Sequence, residues 1–462
     1  MSAPDLSANV MAPFQSSGCD KHVTLLLGAG ASTSSGLPGW DTLAARLLLE
    51  SGSVTSIEAA EQLVKRQDPL LVAEGARTAL AKRWDHRVRN ALYKGLSDLV
   101  PTALHLAAAG HALASEPDDT TVITLNFDTL LEDAIEIDGE GLSDSRVDAT
   151  RPAGLHAVHH LHGIASTTTS KDVILTLTDY NELLGNPDCW QQELLTTSAA
   201  QGAIVIAGTS YRDPDVRRWL HVALQGAPAD NAALVLLARQ AFGVSRTEFD
   251  RIQLALADQW KSAGLIPVIL EDFTDAAQII RELRHLHDAG YQAPQERAAR
   301  LWQAHETQFD ALQEAYSDYL LQDSAVLRDA FDVEQLNVTL WLADGEGHVA
   351  RYASQDRRYR SVDDVRRVPS GHDSPWNAGK ALGAESIEFN DLGDNTTSRW
   401  GTVFTVPIRV SLDGLPDIAT AVLSVGLPDT AQSYEESRAM WFEVSLDIAN
   451  AWTERLVEVM RA

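Results

Sequence analysis

Four short segments hold residues whose types and spacing could do chemistry together. "GAGAS" places Gly28, Ala29, Gly30 and Ser32 straight after the apolar run Val23–Leu27. A glycine-rich turn between strand and helix lets backbone N–H groups approach a pyrophosphate, with Ser32 as a phosphate-facing hydroxyl and the positive end of a helix dipole beyond it. "TLNFD" places Asn126 and Asp128 after a second apolar run, "HLHG" places His162 before Gly163 after a third, and "AGTS" places Gly208, Thr209 and Ser210 after a fourth. A carboxamide oxygen can orient a water, and a histidine of near-neutral pKa can take its proton.

Each of these has a plainer reading. The glycine spacing is not G-x-G-x-x-G, so a simple strand-to-helix turn also fits. Asn126 alone suits a turn, and Asp128 suits a helix N-cap as well as a ligand contact. His159, His160 and His162 could offer a metal ligand, but no ligand spacing elsewhere supports one, and the first two read as structural. Asp213 before Pro214 reads as a turn or cap, and Trp40 as a ring packed over the glycine loop.

The elements that must position these segments alternate. Runs at Val23–Leu27, Val122–Leu125, Val158–Leu161, Val173–Leu175, Ala203–Ala207, Ala233–Leu237 and Ile266–Leu270 read as buried parallel strands. Helical patterns follow at Trp40–Leu49, Asp128–Ile135, Asp215–Leu224, Arg246–Lys261 and Ala276–Leu286. The expectation is an α/β class: a Rossmann-like, doubly wound parallel sheet, with residues 57–116 as a helical insertion in the first crossover. In such a sheet, ligands bind beyond the carboxyl ends of the strands, which is where all four segments fall.

Composition bounds the rest. A chain of 462 residues is expected to hold two or three domains, and 45% hydrophobic residues suffice for sizeable cores. The formal charge of −28 disfavours direct nucleic-acid binding. Two cysteines, Cys19 and Cys189, cannot build a four-thiolate zinc site or a disulfide framework. The first residues do not read as a signal peptide, and no run reaches transmembrane length, so a cytoplasmic protein without a membrane partner is expected.

Taken in order, "GAGAS…SGLPGW", "TLNFD", "LHG" and "GTS" resemble the NAD-binding domain of the sirtuin family, most nearly the bacterial sirtuin-like antiphage proteins that hydrolyse NAD. The resemblance covers residues 15–292 as scattered motifs. It implies that Gly28, Ala29, Gly30 and Ser32 line the pyrophosphate. It implies that Asn126 contacts the nicotinamide ribose and the reacting water, that Asp128 holds the nicotinamide carboxamide, and that His162 is the base. Gly208, Thr209 and Ser210 would contact the phosphates and adenine ribose. NAD+ would be the substrate, with no metal. Sirtuin deacylases carry a four-cysteine zinc module that has no counterpart here, and Asp41 stands where that family commonly has a basic residue. Water is therefore the expected acceptor, giving an NAD+ glycohydrolase, an abortive-infection effector. Cyclisation, transfer of ADP-ribose, deacylation and non-catalytic sensing of NAD or ADP-ribose stay open.

Residues 293–330 read as one or two linker helices. After them the apolar period changes to two, with turns at Asp344-Gly345, Glu346-Gly347 and Asp413-Gly414 and a closing amphipathic helix. Residues 331–462 are expected to form a smaller α+β domain with an antiparallel sheet. "WGTVFTVPIRV…GLPDIATAVLSVGL" resembles part of a GAF domain, which implies a sensor for a small-molecule, nucleotide or protein activator. A dimerisation or docking module fits equally, and a homo-oligomer is expected. Six arginines between residues 351 and 367 read as a solvated loop or an anion site.

Overall fold

The structure is a computed structural model that describes residues 3–96, 99–117, 119–186, 188–210, 214–393 and 398–461. It divides into two compact units, residues 13–287, and residues 1–12 with 288–462.

In the first unit the strands are β1 (Val23–Leu27), β2 (Thr120–Thr124), β3 (Ser143–Arg146), β4 (His156–His160), the short pair β5 (Ile164–Ala165) and β6 (Ser170–Lys171), β7 (Ala203–Ala207), β8 (Ala233–Ala238) and β9 (Ile266–Leu270). Seven of them form one parallel sheet in the order β3-β4-β2-β1-β7-β8-β9. β1, β7 and β8 are buried along their whole length because helices cover both sheet faces, so β7 and β8 read as unbroken apolar runs and β1 as one interrupted only by Thr24. One face packs Leu26, Ile123, Ile204 and Val235 against Leu195, Trp219 and Trp260 of the helices Trp190–Gln201, Pro214–Gln225 and Arg246–Ser262. The helices Ala103–Leu113, Leu130–Asp138 and Phe273–Glu282 form a second layer. The chain winds outward from β1 to β2 and β4, then returns to the other side of β1 as β7. That reversal puts the switch point of the sheet between β1 and β7.

The expected insertion is helical, with helices at Ile57–Val64, Pro69–Leu80, Trp84–Tyr93 and Ala103–Leu113. Ser56, Asp68 and Thr102 cap three of them through their side chains. Two expectations need correcting. Val173–Leu175 is not a strand: it pairs with no strand among the described residues, and Ile174 N–H bonds the carbonyl of His162 at 2.8 Å. Ser143–Arg146 is a strand, although its residues are polar, because it lies at the sheet edge beside β4 alone.

The second unit contains β10 (Asn337–Ala343), β11 (His348–Ser354), β12 (Arg367–Pro369), β13 (Glu388–Asp391), β14 (Thr402–Val410) and β15 (Ile418–Leu427). They form one antiparallel sheet in the order β12-β11-β10-β15-β14-β13. Period-two alternation splits its faces. Leu340 and Leu342 meet Tyr316, Leu320 and Trp452 of the helices Phe309–Phe331 and Arg438–Arg461. Trp341 and Ala343 meet Ala378 and Leu382 of the helix Asn377–Ala384. The helices Pro294–Thr307 and Phe309–Phe331 are not a free-standing linker, because Leu301, Trp302, Phe309 and Tyr316 belong to this unit's core. The N-terminal turn Ala3–Asp5 belongs here too: Asp5 accepts from Gly347 N–H at 2.9 Å and from the Ser370 hydroxyl at 3.0 Å. Three of the arginines of residues 351–367 have separate partners. Arg366 lies 3.7 Å over Trp376, Arg367 lies 5.1 Å over Trp302, and Arg358 pairs with Glu314 at 3.3 Å.

Candidate active site

The loops after β1 and β7 meet at the switch point. Gly28 N–H donates to the Ala207 carbonyl at 2.9 Å, and Gly30 N–H to the Gly208 carbonyl at 2.8 Å. The backbones touch. A Cβ on Gly28 would lie 2.7 Å from the Gly208 oxygen, and one on Gly30 would lie 2.9 Å from the Gly208 Cα. The glycines are thus needed first for loop-on-loop packing. Their own N–H groups are used within the protein and do not face a phosphate. Within the loop of residues 28–36 it is the N–H groups of Ala29, Thr33 and Ser34 that have no partner among the described residues. The expected helix dipole is displaced as well: the loop continues as two 3-10 turns, Ala29–Ala31 and Thr33–Ser35, and the α-helix begins only at Trp40.

Beside this junction is a cavity of about 930 Å³. Ala29, Gly30, Ser32, Asn126, Asp128, His162, Gly208, Thr209 and Ser210 all line it, with Gly28 just behind. The volume falls at the upper end of ordinary ligand pockets. Trp40, half-buried at its helix start, lines it and packs beside Leu37 and Leu43. Tyr180, Gln240, Phe242 and Phe273 also line the wall, and no motif in the sequence marks them. Asp213 lies outside the described residues.

Asn126 follows β2 and is buried. Its Nδ2 donates to the Gly28 carbonyl at 3.1 Å and to Ser32 Oγ at 2.9 Å. A carbonyl can only accept, so this contact assigns the nitrogen. Both amide protons are used, and Oδ1 remains as the acceptor. The Asn126 carbonyl is held by Nδ1 of His160 at 3.0 Å, while Nε2 of His160 lies 2.7 Å from Glu132 Oε1. With acceptors at both nitrogens, His160 is an imidazolium. Burial presses it towards neutrality, but the charge and hydrogen bond of Glu132 prevail and raise its pKa. Burial likewise acts to raise Glu132, and His160 outweighs it, holding the carboxyl below its usual range. The structural reading of His160 gains a task, that of fixing Asn126. His159 bonds the Asp148 carbonyl through Nδ1 at 2.8 Å, away from this pair.

Ser32 is turned inward rather than toward a phosphate. It is buried, and its hydroxyl donates to Asp128 Oδ2 at 2.9 Å. Asp128 also accepts from Leu130 N–H at 3.2 Å and so caps the following helix while lining the cavity. Burial pushes its pKa up to about 6, against the lowering effect of these two hydrogen bonds. His162 is buried between Tyr180 and Trp219, with ring centroids 5.5 and 6.4 Å away. Gly163 after it has φ +85°, and a Cβ there would collide with the Asp172 carbonyl at 2.1 Å, so only glycine allows this turn. Ala165 N–H bonds the Phe127 carbonyl at 2.7 Å, joining the "LHG" loop to the "NFD" loop.

Residues 120–266 match the family model described as the SIR2-like domain. The SIR2-like stretch contains Asn126, Asp128, His162 and Gly208–Ser210, and the glycine loop that completes the cavity precedes it. Among solved structures, a similar chain is that of a crystal structure of Sir2 in complex with the inhibitor EX-527, 2'-O-acetyl-ADP-ribose and a deacetylated p53 peptide. It is 14% identical, covers 57% of this chain and 92% of that chain, and has a TM-score of 0.27. No curated protein matches the chain.

Sequence reasoning did not find Glu132, Thr102 or His105, which hold the site from behind. One signal was present: Thr102-x-x-His105 has the spacing of a capping box, with histidine where glutamate or glutamine is usual.

Proposed function

We propose that the SIR2-like unit binds NAD+ in this cavity and hydrolyses its N-glycosyl bond, releasing nicotinamide, ADP-ribose and a proton. The observation that carries the reading is Asn126. With both Nδ2 protons donated inside the protein, its Oδ1 is left to accept a hydrogen bond from water or a ribose hydroxyl on the wall that also holds His162. Nicotinamide is already a cationic leaving group, so the protein has to place a nucleophile and favour positive charge at the anomeric carbon. Asn126 orients the water and His162 takes its proton. Asp128 accepts from the nicotinamide carboxamide and adds negative charge beside the developing cation. Ala29, Thr33 and Ser34 offer N–H groups to the pyrophosphate, and Gly208–Ser210 line its path.

We read the second unit as a GAF-like sensor or assembly module, a reading supported by its antiparallel sheet between two helical layers. An NAD-depleting enzyme needs restraint, which suits an effector that is switched on at infection.

Turnover of etheno-NAD by the full chain tests the hydrolase. A rise in fluorescence is expected. Asn126→Ala and His162→Ala are each expected to lower kcat by about 10²–10³-fold. Intact NAD+ in every assembly state, or either variant matching the parent, would overturn the reading. Calorimetric binding without turnover would favour a nucleotide sensor instead.

A further inference from the structure

Ser32 Oγ has three neighbours at hydrogen-bonding distance: Asn126 Nδ2 at 2.9 Å, Asp128 Oδ2 at 2.9 Å and His105 Nε2 at 3.3 Å. A hydroxyl has one proton and two lone pairs. Asn126 Nδ2 can only donate and an ionised Asp128 can only accept, so the Ser32 proton goes to Asp128. The third contact must then also donate, which requires a proton on His105 Nε2.

The rest of His105 meets that requirement. Its Nδ1 is 3.1 Å from Thr102 N–H, a group that can only donate, so Nδ1 is the bare nitrogen. The Thr102 hydroxyl is turned to the Ala31 carbonyl at 2.9 Å, which ties the same helix start to the glycine loop. His105 is fully buried, and burial pushes its pKa down to about 4 against the charge of Glu132, so the ring is neutral at pH 7. A neutral imidazole with a bare Nδ1 has its proton on Nε2.

We propose that His105 is a positioning residue: the capping box at the start of the helix Ala103–Leu113 fixes its tautomer, and the tautomer fixes which way the polar groups of the site point. His105 donates to Ser32, Ser32 donates to Asp128, and the lone pair of Ser32 still open receives Asn126 Nδ2. This keeps Nδ2 inward and Oδ1 outward. Were His105 to present an acceptor instead, Ser32 would have two acceptors competing for one proton, and the inward orientation of the Asn126 amide would lose its partner. The helix Ala103–Leu113 thus reaches the reacting region through one ring, although none of its own residues lines the cavity.

The role in catalysis rests on the hydrolase reading, whereas the tautomer does not, so the two can fail separately. Three variants of the full chain separate the relay from simple helix capping. Gln at a capping-box N3 position both accepts the N-cap N–H and has an amide N–H to give, so His105→Gln is expected to stay within about threefold of parent kcat. His105→Glu keeps the cap but turns an acceptor to Ser32. Its kcat is expected to drop by about 10–100-fold with KM within about threefold, as for other residues that orient a reacting group from behind. His105→Phe loses both contacts and should fall at least as far. A pure capping role predicts instead that the Glu and Gln variants are equally active, and that result would overturn the proposal. Long-range ¹H–¹⁵N spectra of histidine-labelled parent protein provide the second readout, in which His105 is expected protonated at Nε2 alone. A ring protonated at Nδ1 would overturn the relay even if NAD+ is turned over, and an Nε2–H ring in a protein that leaves NAD+ intact would uphold the relay while the hydrolase reading falls.

Discussion

The backbone carbonyl of Asn126 and the imidazolium of His160 are joined at 3.0 Å, and Glu132 balances the ring's charge from the far side at 2.7 Å. All three groups are buried. Removing one member of a buried ion pair leaves the other charge uncompensated and costs about 3–5 kcal/mol. Glu132→Gln is therefore expected to lower the thermal midpoint by roughly ten degrees. The pH dependence follows from the two shifts. His160 is raised in the fold, so its contribution is complete below 6.5 and is lost as pH rises through the raised value. Glu132 is lowered, so its contribution is complete above 4.5 and is lost as pH falls through the lowered value. The midpoint gap between parent and variant should be flat between about pH 4.5 and 6.5 and narrow on either side, which calorimetry across pH would measure.

Ionised Asp128 can only accept from Ser32, whereas the protonated carboxyl can also donate to it, and burial pushes the Asp128 pKa up to about 6. NAD+ turnover is expected to fall about tenfold for each pH unit below that value, as for any single required base. Asp128→Asn imitates the protonated state, so it should be slow and lack this acid limb. The same group acts on stability with the opposite sense. Between its ordinary value of 3.8 and about 6 the native state holds the additional proton, so this group lowers stability as pH rises through that window. A pH–rate profile of parent and variant settles the first point, and a pH series of midpoints the second.

The glycines make a local comparison possible. A Cβ on Gly30 would meet Phe273 Cζ at 2.8 Å and Gly208 Cα at 2.9 Å, whereas a Cβ on Gly75, inside the helix Pro69–Leu80, would meet nothing within 4 Å. Gly30→Ala is expected to destabilise by about 1–3 kcal/mol through overpacking. Gly75→Ala should stabilise by about 0.5–1 kcal/mol through helix propensity and reduced chain entropy. Urea denaturation of the two variants should move the midpoint in opposite directions.

How far the sequence could be read depended on what each feature rests on. β1 and β7 match their expected runs residue for residue, as strands covered on both faces tend to be apolar throughout, and β9 matches too although it is a partly exposed edge strand. The edge strand Ser143–Arg146 was illegible for the complementary reason: with one neighbour and half-buried residues it needs no apolar run. Val173–Leu175 looked like a strand because Leu175 is buried, but burial does not supply a partner strand. The cavity wall was legible where its residues sit at strand ends. What stands behind the wall was not: His105 reaches Ser32 across 73 positions and His160 reaches Glu132 across 28, and no local pattern encodes pairings of that kind.

The meeting of Gly28 and Gly30 with Gly208 has a consequence for how this protein can change. In most packed contacts a larger residue on one side can be answered by a smaller one on the other. Here both sides already carry the smallest residue there is, and the contact is backbone on backbone. A substitution at one glycine has no second-site suppressor at the other, so the only remedy is to move a strand. In a double-variant library of residues 28, 30 and 208, no pair should outperform its better single variant. The junction is a fixed point about which the remaining walls of the cavity are free to diversify.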